Sequence, residues 1–335
     1  MALSGYRDCH DISSAGTRPV CQPGEIYEYS SRAGDFRMDD RTELIRQLKK
    51  IDLATGVLVE GLQSGLHHSV FKGQGVEFSE IREYIPGDDI RSIDWKVTAR
   101  YNHPFIKEFT EERDQTFYFV VDISGSSGFG SDTTKQRKIL EVTASLAFAA
   151  IKNNDRIGLV LFSDRVEKYI PAKRGRKHLA TLFNVMIDHT PASQKTDLAA
   201  AIKFLANILS RRSSVIILSD FVSPEFFLPL RILRRRHEVI AIRVNDPREQ
   251  ELPDVGLIEL EDPESGEQVL VDTSDPEFRQ RYLELVTEAD RELHAKFAQN
   301  RIAETELLTG EPYDIPLKRF FRGISKRRVN HDRIL

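Results

Sequence analysis

Residues 117–126 read FYFVVDISGS, and this short stretch decides the fold. Phe117 to Val121 is apolar without alternation. A strand wetted on one side alternates, whereas one covered on both faces, as in a parallel sheet, reads as a continuous apolar run. The run ends in Asp122, followed by Ser124, Gly125 and Ser126. The same unit recurs as IGLVLF (157–162), as VIIL (215–218) followed by Ser219-Asp220-Phe221, and as VIAIRV (239–244). Between these runs, Ile139, Val142, Leu146 and Ala150 share one helical face, and helical patterns cover 176–187, 197–211 and 225–236. RVEKYIP (165–171) reads as a hairpin partner of the 157–162 strand. Strands alternating with helices predict a mostly parallel, doubly wound α/β sheet.

Working outward, GLIELE (256–261) and QVLVD (268–272) flank a Pro-Glu-Ser-Gly turn and predict a β-hairpin. A long helix over 276–299, a short strand near 302–308 and a basic helix over 314–328 complete the C-terminal part. Upstream, Phe105 to Glu111 alternates as a two-faced strand, and 65–100, with its glycines and Pro86-Gly87 turn, suggests small strands and loops. Asp40 and Glu43 resemble a capping box before an amphipathic helix carrying Leu44, Leu48, Ile51 and Leu58. Residues 1–37 lack periodicity and read as a disordered leader, which makes Met38 an alternative start to Met1. The expected division is leader 1–37, helix 38–62, β/irregular segment 63–114, α/β domain 115–310, and basic helix and tail 311–335.

The chain has 335 residues, 40% apolar and 30% charged, with net charge −4, so it can bury a sizeable core under a solvated surface. The longest apolar stretch, Leu146 to Ile151, is far short of the ~18–20 residues that span a bilayer. Arg7 and Asp8 interrupt the start before any secretory signal can form. Cys9 and Cys21 are the only cysteines and make no disulfide framework. These features predict a cytoplasmic protein. Near-balanced charge argues against a dedicated nucleic-acid binder.

Open α/β sheets bind ligands at the carboxyl ends of their strands, where strand order reverses. There the sequence places Asp122, Ser124 and Ser126 after one strand, Asp220 after another, and Thr196 in the loop Gln194-Lys195-Thr196-Asp197. Two carboxylates and several hydroxyls suit a hard divalent cation, Mg²⁺ or Mn²⁺. Alternate residues of Asp122-x-Ser124-x-Ser126 can face one point, and Gly125 would let the turn close tightly. Taken alone the motif is equally a set of local side-chain-to-backbone bonds.

The full set resembles the metal-ion-dependent adhesion site of von Willebrand factor A domains. Glu83-Tyr84-x-x-Gly87-Asp88-Asp89-x-Arg91-x-Ile93-Asp94-Trp95-x-x-x-Ala99-Arg100, with His237-Glu238-Val239 and Asp246-Pro247-x-Glu249, resembles the bacterial DUF fifty-eight family, over roughly 65–325. The resemblance implies a six-stranded sheet of order 3-2-1-4-5-6. It implies that Ser124, Ser126 and Thr196 contact the metal through hydroxyls, with Asp122 and Asp220 acting directly or through water. It also implies work with a MoxR-type AAA+ ATPase in protein assembly or maturation, a client protein donating a carboxylate to the metal. Ser127 stands where the family usually has Met, which implies altered packing.

Other signals have plainer readings. Asp88, Asp89, Asp94, Arg91 and Arg100 suggest Asp–Arg pairs clamping the upstream segment to the sheet. Lys173, Arg174, Arg176 and Lys177, then Arg234 to Arg236, then Lys318, Arg319, Arg322, Lys326, Arg327 and Arg328, read as solvated basic faces or a surface for an acidic protein. Adjacent His67 and His68 cannot readily chelate one ion. Gly125 to Gly130 has P-loop glycine spacing, but Ser131 and Asp132 follow where Lys and Ser/Thr are needed, and neither H-E-x-x-H nor G-x-S-x-G occurs. The expectation is therefore a non-enzymatic interaction module. The alternative is a metal-dependent, phosphatase-like hydrolase using Asp122, against which no positioned Lys is evident.

Overall fold

In the central strands every side chain is held away from water. β6 (Ser214–Ser219) is buried along its whole length, and β3 (Thr116–Asp122) and β4 (Arg156–Phe162) are buried beyond their first residues. These belong to a computed structural model that describes residues 76–85, 88–101, 103–111, 115–128, 134–262, 264 and 266–332, with backbone alone at 76–80, 107–111, 127 and 325–332. The expected leader, the 38–62 helix, Met38, both cysteines, His67-His68 and the side chain of Ser127 lie outside the described residues.

β3, β4, β5 (Val166–Lys173), β6, β7 (Glu238–Asn245) and β10 (Ala303–Leu308) form one sheet in the order β10-β7-β6-β3-β4-β5. Counted from β3, this is the expected 3-2-1-4-5-6. All neighbours are parallel except β4 and β5, so the hairpin read at 165–171 is present. Order reverses between β3 and β6, so their carboxyl ends open side by side at a switch point.

Helices cover both faces. On one side α2 (Lys135–Lys152), α3 (Arg176–Asp188) and α8 (Asp314–Asp332) contribute Leu146, Leu182 and Phe321 to a core with Phe119, Leu161 and Ile216. Leu317 and Phe321 are fully buried, so the basic C-terminal helix packs as part of the α/β unit. On the other side α4 (Leu198–Ile208), α5 (Phe227–Arg236) and α7 (Pro276–Gln299) bring Leu205, Leu230 and Phe297 onto Val120, Ile217 and Ala241. The strand interior alternates between these two cores, which is why it is almost wholly apolar, with Arg243 in β7 buried against Glu304 and Glu306.

Two smaller sheets stand beside this one. β8 (Leu257–Glu261) and β9 (Gln268–Asp272) form the expected hairpin. β1 (Val76–Glu83) pairs antiparallel with β2 (Phe105–Glu111). Between them the chain corrects the reading of strands and loops alone. Trp95–Tyr101 is a helix, α1, started by Asp94, whose carboxylate accepts from the amides of Lys96 (2.9 Å) and Val97 (3.3 Å). The Asp–Arg expectation is also revised. Asp88 holds Arg82 by two bonds, 2.7 and 2.9 Å, while Asp89 and Asp94 act as caps, Asp89 accepting from Arg91 N.

Close packing leaves one strand position where only glycine fits. A Cβ on Gly158 in β4 would stand 2.5 Å from Tyr118 Cε1. The Tyr118 ring stacks on Tyr169 and its hydroxyl accepts from Ala172 N, so it has little room to yield. We expect Gly158→Ala to destabilise the chain by about 1–3 kcal/mol in urea unfolding, the usual cost of overpacking. Unchanged stability would show that the Tyr118 ring moves freely.

Candidate functional site

The site is built where β3 and β6 end. Asp122, 2% exposed, terminates β3, and the chain turns into a short 3-10 segment, Gly125–Gly128. Asp122 Oδ1 accepts from Ser124 N (3.0 Å) and Ser124 Oγ (2.7 Å), and Ser124 Oγ lies 3.2 Å from Ser126 Oγ. Ser126 also lies close enough to Asp220, just past the end of β6, to help hold that carboxylate charged. Asp122, Ser124, Ser126 and Asp220 therefore form one string of oxygens across the switch point. Gly125 is not in the positive-φ region. Its contribution is its amide, which donates to Gln194 O at 2.8 Å and brings in the loop that carries Thr196. Thr196, 8% exposed, donates from Oγ1 to Glu264 Oε1 at 2.6 Å.

The loop before α4 is fastened from beneath. Asp197 caps α4 through Ala200 N, and its own amide donates to Ser163 O. Glu167 on β5, its side chain 3% exposed, accepts from Ser163 Oγ (2.5 Å), from Ala192 N (3.0 Å) and meets His189 Nε2 (2.7 Å). Burial opposes its charge, but these hydrogen bonds outweigh it and hold the Glu167 carboxyl below its ordinary value.

Three further residues were not singled out from sequence. Ser219, fully buried, donates to Asp122 Oδ2 at 2.6 Å and accepts from Phe221 N. Lys135, 2% exposed, reaches Asp220 Oδ2 (3.0 Å) and Glu249 Oε1 (2.8 Å). Sequence reading offers no lysine positioned for a transferred phosphate, and Lys135, though beside the carboxylates, is buried and paired with two of them. Glu249 is itself set by a capping box at the start of α6 (Pro247–Gln250), where Asp246 accepts from Arg248 N and from Thr309 Oγ1. The Asp-Pro-x-Glu motif thus delivers a carboxylate to Lys135. A signal did exist: Lys135 opens a helix, behind the Thr134 cap, where the dipole disfavours a cation.

Electrostatics set the two aspartates apart. Burial, with Asp220 nearby, pushes Asp122 up to about 6. Burial would raise Asp220 as well, but Lys135, the Val222 amide and Ser126 keep it below its ordinary value. Burial raises Glu249 despite Lys135, while the two carboxylates drive Lys135 up against its own burial. One ammonium thus serves two carboxylates, with Asp122 a third acid beside Asp220, and a buried negative excess remains at the switch point.

Hydroxyl and carboxylate oxygens are the donor types a small hard cation takes. Neighbouring ligands around an octahedral ion with 2.0–2.1 Å bonds are about 3 Å apart. The Ser124–Ser126 and Thr196–Glu264 separations, 3.2 and 2.6 Å, bracket that edge. Ser124 gives its proton to Asp122. Among the described residues no cluster of three or more His, Cys, Asp or Glu side chains could hold a metal ion.

Fold and geometry define the class as a mixed, mostly parallel α/β protein with an oxygen-lined cup at its switch point. The family model described as "Protein of unknown function DUF58" matches residues 80–292, and the chain belongs to that family. It is 36% identical over 248 residues to "Uncharacterized protein Rv1480" of Mycobacterium tuberculosis, covering 73% of this chain and 77% of that one. "Uncharacterized protein YeaD" of Bacillus subtilis is 28% identical over 111 residues, 33% of this chain and 25% of the relative. Among solved structures, the conserved hypothetical protein BatB from Bacteroides thetaiotaomicron aligns with TM-score 0.41 and 12% identity, over 63% of this chain and 99% of that one. Among the described residues no helix is long and apolar enough to cross a membrane.

Removing Lys135 leaves buried carboxylates uncompensated. Lys135→Met is expected to cost about 3–5 kcal/mol in chemical unfolding, and Lys135→Met with Glu249→Gln to recover part of it. No loss in the single variant would mean the pair is not formed. For Glu167 the sign follows from its lowered value: its contribution is full above the ordinary carboxylate range and vanishes as pH falls through the folded value. Glu167→Gln should therefore cost about 1–3 kcal/mol at neutral pH, and the gap from wild type should close below about pH 4. A gap constant over a pH series would overturn this.

Proposed function

We propose that this chain is a non-enzymatic protein-interaction module of the von Willebrand factor A-like type, working through Mg²⁺ or Mn²⁺ at a metal-ion-dependent adhesion site. The observation that carries the reading is the string Asp122–Ser124–Ser126–Asp220 at the switch point, with its buried negative excess. Ser124, Ser126 and Thr196 would hold the ion through hydroxyls, with Asp122 and Asp220 direct or through water. With so few anionic donors, the bound ion stays electrophilic enough to take one further carboxylate, which a client protein would supply.

The chain's own residues carry the rest. Ser219 and the Ser124 amide and hydroxyl aim Asp122, Lys135 fixes Asp220, and Glu249 fixes Lys135. The same bonds favour a binding role over a phosphatase-like one. Asp122 spends both oxygens on three hydrogen bonds and is buried, which makes it a poor nucleophile. Lys135 is committed to Asp220 and Glu249 and is buried away from incoming phosphate. The proposed partner, a MoxR-type AAA+ ATPase acting in protein assembly or maturation, follows from the resemblance of the 83–100 and 237–249 motifs.

Mg²⁺ or Mn²⁺ should raise the thermal midpoint, since a ligand of the folded state adds about 2.7 kcal/mol at a hundred times its dissociation constant. Asp122→Ala should abolish the shift, and Thr196→Ala should weaken it. In affinity purification, an AAA+ ATPase should be recovered with the wild type in metal, and lost with EDTA or with Thr196→Ala. An equal metal shift in Asp122→Ala, or the same partners in every condition, would sink the reading.

A further inference from the structure

The proposed cation site reserves one coordination position for a carboxylate from outside the chain, yet a carboxylate of the chain already touches Thr196, one of its proposed ligands. Glu264 lies at the turn between β8 and β9. Its Oε1 accepts from Thr196 Oγ1 at 2.6 Å and its Oε2 from Thr196 N at 3.4 Å. Thr196 is far from Glu264 in sequence and buried, so this is a tertiary contact rather than a local turn.

The contact is presented by a structured element. Glu264 N donates to Asp262 Oδ1 at 3.1 Å, Asp262 N to Glu267 O and Gly266 N to Asp262 O, with Gly266 at φ +72° closing the turn. Below it, β8 and β9 pair from Leu257–Asp272 to Glu261–Gln268. The hairpin belongs to neither core: Leu257 and Leu270 are mostly exposed and it forms a sheet of its own. What it delivers to the switch point is an acid. The 2.6 Å hydrogen bond from the Thr196 hydroxyl brings the two oxygens within the roughly 3 Å that separates neighbouring ligands of one small cation.

We propose that Glu264 is the chain's own occupant of the carboxylate position at the cation site, so that an acidic partner binds only by displacing it. This rests on the reading of Asp122, Ser124, Ser126, Thr196 and Asp220 as cation ligands. A carboxylate tethered to the site competes at the effective concentration of an intramolecular ligand, in the millimolar range for a short connection. It thereby sets a threshold: single weak carboxylates are refused, and a partner offering an acid together with other contacts is admitted.

The test uses the full chain, Mn²⁺ as the ion, and a short fluorescein-labelled poly-glutamate peptide as the carboxylate. Mn²⁺ binding is read from the loss of the free-ion EPR signal, and peptide binding from fluorescence anisotropy. Wild type and Glu264→Gln should both take up Mn²⁺. With Mn²⁺ present, Glu264→Gln should bind the peptide about tenfold or more tightly than wild type, as loss of an intramolecular competitor requires, and EDTA should remove the difference. Glu267→Gln, on the same hairpin, should behave as wild type. Glu264→Asp, which withdraws the carboxylate by one methylene, should fall between and guards against a folding defect in the glutamine variant. If Mn²⁺ binds wild type and Glu264→Gln alike and peptide affinity does not change, the inference fails while the cation site stands. If Mn²⁺ binds neither, the cation site itself fails and the inference with it.

Discussion

Two carboxylates held out of water, Asp122 and Asp220, face each other across neighbouring strand ends, and the surrounding structure answers to that charge. Ionised groups in a low-dielectric interior cost several kcal/mol each unless paired or hydrogen-bonded. Here the compensation is unequal. Asp220 has a buried ammonium, an amide and a hydroxyl, whereas Asp122 has hydroxyls and an amide alone and is pushed up to about 6. The Ser124 and Ser126 hydroxyls stand between them and help keep both carboxylates in the interior.

That compensation reaches well beyond the cup. Lys135 comes from the first turn of α2, Glu249 from the turn after β7, and Asp246, which caps that turn, is tied to Thr309 at the end of β10. The ends of β3, β6, β7 and β10 are thus joined through polar contacts at one edge of the sheet, above two cores that are almost wholly apolar. On the β4–β5 side, Glu167 performs the same service for the loop carrying Thr196. The edge is held by these hydrogen bonds and ion pairs together with Ile123 and Phe221, which follow the two aspartates into the cores.

The β8–β9 hairpin adds a different kind of contact. Leu257 and Leu270 are exposed and only Leu260 of its leucines is buried, while its turn supplies a carboxylate that touches Thr196. An element with few buried apolar contacts opens at lower free energy than the sheet beneath it. That contrast makes exchange of one acid for another physically reasonable at this edge.

Strand and helix periods are local properties, so the sheet, its hairpins and the alternation of layers were legible in residues such as Phe117 to Val121 and Ile139, Val142 and Leu146. So was the oxygen string, because Asp122, Ser124 and Ser126 are two residues apart and Asp220 ends an apolar run. Helix α1 was missed since seven residues carry too little periodicity, although Asp94 was in place as its cap. Ser219, Lys135, Glu249 and Glu264 take their roles from side chains separated by long stretches of chain, and no local pattern encodes such pairings. Sequence alone determined which residues could bear charge at the strand ends. Only the tertiary structure decided which charges meet, because burial and separation, and not residue type, set the cost and the partner of each.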